Sequence, residues 1–309
     1  MNGIQITLLL LAGLYMILRW IYPRDQEIAS AYLRYTLLGI AGFLILSPFV
    51  WLITAVFKDK DVLMQYSFLP PFSEWSRDTI NLGNFRALLQ GEDTVAGRVY
   101  FWEYVINSLF LASTATTVNL FFTSMGGYAL SKYSFRGKKS MMIFMAGSMM
   151  FPPMLFLAPV YRMIFAFGWM DTYLALLVPG ACSVFGMFLF RQATIAVPDS
   201  LIEAARIDGA SEFGIYLRVV MPLVRPMIGA FCLITFLGNW NNFIGPQVYI
   251  HTQAKLTLPV VLNQYMGVYT QQYGVFLAGT LLAIIPPAIL FFTLQREFVA
   301  GLTSGAVKG

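Results

Sequence analysis

The sequence predicts an all-α, polytopic membrane protein on three observations: its composition, the recurrence of long charge-free runs, and the placement of its basic residues. Of its 309 residues 58% are hydrophobic and 11% charged, against roughly 25% charged in an ordinary soluble domain. Lipid is therefore the main solvent of this chain. In lipid every backbone amide must be satisfied within its own helix, and about 20 apolar residues are needed to cross.

The elements follow in order along the chain. Residues 4–18 are apolar and are followed by Arg19, Trp20 and Tyr22, which suit a headgroup interface. No basic residue precedes this run and no small-residue cleavage site follows it, so 4–22 reads as an uncleaved N-terminal helix rather than a signal peptide. It either spans the membrane or lies on it. Six further runs carry no Asp, Glu, Lys or Arg: 35–57, 104–131, 140–161, 172–190, 226–254 and 256–295. The last is too long for one helix, and the polar stretch 264–274 confines its span to about 272–295. The organisation expected is an N-terminal helix and linker over 1–34, then one six-helix transmembrane domain over 35–309.

Orientation follows from the basic residues, which collect in short cytoplasmic loops. Lys132, Arg136, Lys138 and Lys139 crowd one loop. Placing that loop inside also places Arg19, Arg24, Arg34, the 191–225 loop with Arg191, Arg206, Arg218 and Arg225, and Arg296 and Lys308 inside. Thirteen of the 20 Lys and Arg residues then lie on one side, and the C-terminus is cytoplasmic. The net charge of +5 expresses this bias and not a nucleic-acid surface.

The external loop 58–103 mixes five basic with seven acidic residues. Its Pro70-Pro71 pair stops regular structure, and residues 81–89 fit a short amphipathic helix. Cys182 and Cys232 fall in apolar runs and read as packing residues. Prolines recur inside the spans, at Pro48, Pro152, Pro153, Pro159, Pro179, Pro246, Pro286 and Pro287. Membrane helices tolerate such breaks where neighbours or a cavity satisfy the freed carbonyls. No P-loop occurs, so any ATP that drives this protein is bound by another chain.

The most informative segment is 197–222. Ser200 and Glu203 have capping-box spacing, Gly209 suits a left-handed helix end, Ser211 can cap a second helix, and Pro222 is expected to stop it near Met221. The first helix sets Ala204 and Ala205 between the charged Glu203, Arg206 and Asp208. Small side chains let a partner's backbone approach, while charges pair across an interface. An amphipathic helix at the membrane surface is the competing reading of shape alone.

The run Glu203-Ala204-Ala205-Arg206-Ile207-Asp208-Gly209-Ala210, with Pro222 and Pro226 after it, resembles the EAA loop of the permease subunits of binding-protein-dependent ABC importers. The stretch from Gln295 to Gly309 resembles the C-terminal tail of the carbohydrate-importer subclass, in particular its MalG-like subunits, and 236–246 resembles their fifth-helix Trp-Asn-x-Phe-x-x-Pro pattern.

The resemblance covers about 35–309 and implies a type I ABC importer permease in a bacterial plasma membrane. Its implied partners are a homologous second permease, two ATPase subunits that bind ATP and Mg, and an extracytoplasmic solute-binding protein. Glu203, Ala204, Ala205, Arg206, Asp208, Gly209 and Ala210 would then contact the ATPase, and Ser304, Gly305, Val307 and Lys308 would reach toward it. The external segment 253–273, with Gln264, Tyr265 and Tyr269, would meet the binding protein.

Sugars call for planar hydrogen-bonding groups and aromatic faces, which Asn239, Trp240, Asn241 and Asn242 combine within one span. Polar residues that hold helices together are the competing reading. His251 is the only histidine, so neither a metal site nor a His-centred catalytic arrangement is expected, and this chain is read as non-catalytic with no cofactor of its own. Arg162 and Asp171 read as surface anchors of a short external turn. An ion-gradient-driven transporter is the alternative function, disfavoured because it calls for ionisable residues inside the spans and the charge-free runs hold none. A membrane-embedded enzyme is disfavoured for want of clustered catalytic side chains. The solute, whether monosaccharide, oligosaccharide, polyol or glycerol phosphate, is left open.

Overall fold

A computed structural model describes residues 13–17, 19–20, 26–94, 97–266 and 272–303. Residues 13–17 and 19–20 are helical; the rest of the expected helix 4–22 lies outside the described residues. The chain forms two compact units, Met1–Gly83 and Asn84–Gly309.

In the first unit, α1 (Gln26–Ala55) is a 30-residue helix, about 45 Å long. It starts well before the charge-free run at residue 35, takes in Arg34, and passes Pro48 without a break. Leu37, Leu38, Phe43, Leu44 and Ile45 are each more than half exposed, as suits a helix bathed in lipid or covered by a partner. The chain then turns through α2 (Lys60–Leu63). Lys58 is buried here, and its Nζ donates to the Tyr66 carbonyl at 2.6 Å. Trp75 Nε1 donates to the Pro70 carbonyl at 2.9 Å, closing the irregular turn at the proline pair.

At the boundary with the second unit comes α3 (Gly83–Leu89). It begins two residues later than the sequence predicts because Asn81 Oδ1 takes the Gly83 N–H at 2.6 Å in a side-chain turn. A short antiparallel hairpin follows, β1 (Glu92–Thr94) and β2 (Gly97–Val99), with Asp93 opposite Arg98. It is a small addition to an otherwise helical fold. Next comes α4 (Phe101–Lys132), an unbroken 32-residue helix of about 48 Å.

The apolar runs 140–161, 172–190 and 226–254 are each interrupted, where the sequence predicts a span apiece. α5 (Lys138–Ser148) meets the helical stretch that includes α6 (Leu157–Ala166) at 95°, with Pro152 and Pro153 at the break. α7 (Leu174–Leu177) is separated from α8 (Val184–Ile195) by a non-helical stretch around Pro179. α9 (Asp199–Ile207) and α10 (Glu212–Leu223) form the long polar loop, and α10 meets α11 (Arg225–Trp240) at 85°. α12 (Ile244–Tyr249) and α13 (Leu258–Gln264) are short. α14 (Tyr273–Thr303) is continuous although Pro286 and Pro287 lie inside it. Among the described residues, three helices are long and apolar enough to cross a membrane singly, α1, α4 and α14, and two bent pairs add to them.

The core of this unit forms where α4 packs on α8 and α11, and α14 on α11. A Cβ on Gly127 of α4 would lie 2.5 Å from the Phe190 Cβ of α8, so only glycine permits this approach of the two helices. Near the Lys132 end of α4, a buried cluster joins Tyr128, Phe190, Ile202, Tyr216, Val220 and Phe231. A smaller cluster of Ile164, Ala175 and Tyr249 ties the α6 and α7 region to α12.

Candidate coupling loop and solute-path residues

Two short helices joined by a tight turn build the 199–223 loop, as the sequence predicts. The left-handed turn is at Gly209, with φ +81°. Gly209 N–H donates to the Arg206 carbonyl at 3.0 Å and Ala210 N–H to the Ala205 carbonyl at 2.9 Å, the paired bonds of a Schellman stop. Ser211 Oγ takes the Gly214 N–H at 3.1 Å and caps α10.

Two expectations need correction. The first helix starts at Asp199 with Pro198 as its cap, so Ser200 lies in the first turn and does not cap it. Pro198 fixes its own φ at a value compatible with a helix start, and this moves the boundary forward. Nor does Pro222 end α10 at Met221, because residues 216–220 widen into a π turn in which Met221 N–H bonds to the Tyr216 carbonyl. The wider turn makes room for a ring that would clash with an α-helical carbonyl four residues back. The helix runs on to Leu223, with Val224 as its cap.

The loop is bolted to the end of α4. Lys132 Nζ donates to the Val197 carbonyl and to Asp199 Oδ1, both at 2.6 Å, and its side chain is only 8% exposed. Tyr133 donates to the Glu212 carboxylate, which also pairs with Arg206 at 2.7 Å. Ser124 Oγ and Tyr216 Oη share a hydrogen bond of 2.7 Å. Ile202 and Ile215 turn inward to the apolar cluster. A polar cavity of about 320 Å³ lies beside the helix, lined among others by Lys132, Asp199, Glu203 and Arg206.

What remains outward is Glu203, Ala204, Arg206, Asp208, Gly209 and Ala210, with Ala205 half-buried. Ile207 is 86% exposed at the tip. An apolar side chain held in the open between an arginine and an aspartate was not singled out by the sequence reading. Its signal was present, since Ile207 falls off the inward stripe that Ile202 marks on a 3.6-residue period. Ser304, Gly305, Val307 and Lys308 lie outside the described residues.

The four residues proposed for solute contact divide between two cavities. Trp240 is buried, 4% exposed, and stacks on Phe236 with centroids 5.8 Å apart. Trp240 and Asn241 line a largely apolar cavity of about 510 Å³ with Leu258, Thr280, Pro287 and Phe291 among its other walls. Asn239 and Asn242 face a far smaller space of about 20 Å³ beside Ser108 and Thr257. All three asparagine amides also serve the backbone locally: Asn239 and Asn241 donate to the Thr235 and Leu237 carbonyls, and Asn242 Oδ1 takes the Gly245 N–H. They therefore stabilise the end of α11 as well as facing cavities.

At the other end of α4 the backbone of 251–258 is held by side chains. Asn107 Nδ2 donates to the carbonyls of Ala254 and Leu256 at 2.8 and 3.0 Å. Ser108 Oγ accepts the Leu258 N–H at 2.7 Å, and Gln253 Nε2 donates to Tyr104 Oη at 3.3 Å. Asp171 is more than a surface anchor. Its carboxylate takes the His251 and Thr252 N–H groups at 2.9 Å, the Thr252 hydroxyl at 2.6 Å and Lys255 Nζ at 3.1 Å. Burial pushes this carboxyl up, but the donors from Thr252, His251 and Lys255 outweigh burial and hold it well below the usual carboxylate range. Asp171 has φ +57°, and its own N–H donates to the Tyr249 carbonyl at 2.9 Å. Aspartate tolerates that conformation better than most residues.

Gln264 hydrogen-bonds Gln253 at 2.9 Å, and Tyr265 is buried. Burial first, then the Glu92 carboxylate it hydrogen-bonds, push the Tyr265 phenol well above its ordinary value. Tyr269 lies outside the described residues.

This arrangement of helices and loop is shared with known transport proteins. The solved structure of a bacterial ABC transporter that imports the acidic polysaccharide alginate matches with a TM-score of 0.75 at 24% identity, over 89% of this chain and 98% of that one. The arabinooligosaccharides transport system permease protein AraQ of Halalkalibacterium halodurans is 33% identical over 268 residues, covering 87% of this chain and 93% of the relative. The trehalose/maltose transport system permease protein MalG of Thermococcus litoralis is 28% identical over 273 residues, covering 87% and 94%. The model of the binding-protein-dependent transport system inner membrane components matches residues 123–303, which take in the whole 199–223 loop. The chain belongs to the family of binding-protein-dependent transport system inner membrane components.

Proposed function

We propose that this chain is one of two permease subunits forming the translocation path of an ATP-driven importer for a sugar, oligosaccharide or related solute. ATP hydrolysis takes place on partner ATPase subunits, and a solute-binding protein delivers the cargo on the opposite face. The observation that carries this reading is the 199–223 loop: an exposed, small-residue helix with a fixed left-handed stop, rigidly joined to a long transmembrane helix. Relatives named as sugar-transport permeases support the solute class.

In this reading the loop faces the cytoplasm, as the basic-residue bias expects, and the 251–258 segment faces outward. Ala204, Gly209 and Ala210 let an ATPase surface approach closely, Ile207 fills an apolar pocket there, and Glu203, Arg206 and Asp208 pair at the rim. Closing of the ATPase dimer moves the loop as a rigid body and rocks the helices, opening the path outward. The exposed Asn241 and Asn242 line that path.

Co-expression with the second permease, the ATPase subunits and the binding protein, followed by reconstitution into vesicles, tests the reading. Vanadate-sensitive uptake of sugars that requires ATP is expected; uptake by this chain alone on an ion gradient would overturn it. Gly209→Pro is expected to abolish transport without preventing membrane insertion, since proline cannot adopt φ +81°.

A further inference from the structure

We infer that α4 is a connecting rod that carries movement of the 199–223 loop to the 251–258 segment, and that Asn107 and Ser108 are the positioning residues of its far end. The inference rests on the importer reading only for what sets the loop in motion.

Among the described residues of the second unit, α5 with α6, α7 with α8, and α10 with α11 are each bent or interrupted, so a push on one end is absorbed at the break. Only α4 and α14 run without interruption there. α14 reaches the start of α11, where Glu297 pairs with Arg225 at 3.4 Å. α4 grips both ends. Lys132 holds the Val197 carbonyl and Asp199, and Ser124 holds Tyr216. Four helical turns and more away, Asn107 and Ser108 hold Ala254, Leu256 and Leu258 through their backbone atoms.

Backbone capture matters. Bonds to carbonyls and N–H groups fix where the 254–258 chain runs, whatever its side chains do. The Asp171 clamp fixes the same segment from the 169–173 turn instead, so two attachments can be separated by substitution. Tyr173 adds a weaker bond of 3.3 Å to the Lys255 carbonyl on that second side.

The test uses paired spin labels on the complete reconstituted importer, in a chain with Cys182 and Cys232 replaced by serine. One label is placed at Ser200→Cys and one at His251→Cys, both exposed and outside the docking surface. The distance between them is measured without nucleotide and in the ATP-plus-vanadate state. If α4 is the rod, the distance changes by no more than about 2 Å between states. The N107A/S108A pair makes it state-dependent, whereas Asp171→Asn broadens it without making it depend on state. A wild-type change of more than about 2 Å would overturn the inference, as would an N107A/S108A variant indistinguishable from wild type. A label pair between this chain and the ATPase subunit serves as the control. If that pair does not close on ATP, the importer reading fails, whatever the 200–251 distance does.

Discussion

The two ends of α4 hold their neighbouring segments in different ways. At the Lys132 end, apolar packing dominates: Phe190, Ile215 and Val220 are fully buried, rings of Tyr128 and Tyr216 meet at 5.7 Å, and charged groups are added on top. At the Phe101 end, where Leu256 and Leu258 are also buried, the course of the 251–258 segment is set by hydrogen bonds to its backbone from Asn107, Ser108 and Asp171. Packing is non-directional and strong in sum, whereas each hydrogen bond contributes modestly but fixes direction. The loop that must transmit force is therefore stiffened by bulk, and the segment at the far end is placed by geometry.

The comparison breaks if the packed end is not the costlier one to disturb. Phe190→Ala removes a fully buried ring that packs edge-on against Phe231 with centroids 5.2 Å apart, and should destabilise the chain by about 3–5 kcal/mol. Its thermal unfolding midpoint in detergent should fall further than that of Asp171→Asn at the Phe101 end. Lys132→Met is next. It keeps the apolar stem but strands a buried peptide carbonyl and frees Asp199, at a cost of about 1–3 kcal/mol. Amides of 197–207 should then exchange faster while those of 251–258 keep their protection.

How much of this was legible beforehand differs between the same two ends. The 199–223 loop was readable because its signals are local: Gly209, Ser211 and the alternating small and charged residues each declare themselves within a few positions. Its errors were local as well, since Pro198 displaced Ser200 as the helix start and a π turn carried α10 past Pro222. The Asn107 and Asp171 contacts reach across about 150 and 80 residues of chain, and no periodicity announces such partners. Spans were legible as apolar runs, but not their continuity. Prolines break the fold at 152 and 153 yet lie inside unbroken helices at 48, 286 and 287, because neighbouring helices and local adjustments decide whether the freed carbonyl is satisfied. Trp240 illustrates the same limit: its type suited sugar stacking, and its burial against Phe236 depends on the packed helix.

Asp171→Asn sharpens the comparison at the directional end. Asparagine also tolerates a positive φ, so the backbone at 57° is preserved while the charge and one acceptor are lost. Lys255 and Asp171 are both partly exposed, and water screens their pairing. The expected loss is about 1–2 kcal/mol, from the hydrogen bonds rather than the ion pair. It should appear as faster amide exchange confined to 249–258, with 197–215 unaffected. Spread of the effect to both ends would mean that the second unit responds as one cooperative body and that the contrast between its ends has no energetic content.

The smallest expected effect is that of pH, and its sign is fixed by the environment of Asp171. A carboxylate held below its ordinary value contributes stability that is complete above the unfolded pKa, about 3.9, and is lost only as pH falls through the lower folded value. Between about pH 8 and pH 5 the group stays ionised in both states, so the clamp on His251 and Thr252 neither gains nor loses. Exchange of the 251–258 amides, corrected for the intrinsic pH dependence of exchange, should be flat over that range in wild type. Asp171→Asn should be flat too, but at a uniformly lower protection. A wild-type profile that loosens between about pH 6 and pH 5 would mean that the Asp171 carboxyl is raised above its free value, burial outweighing its four donors. Asn107 and Ser108 would then be the main holds on the backbone at the directional end of α4.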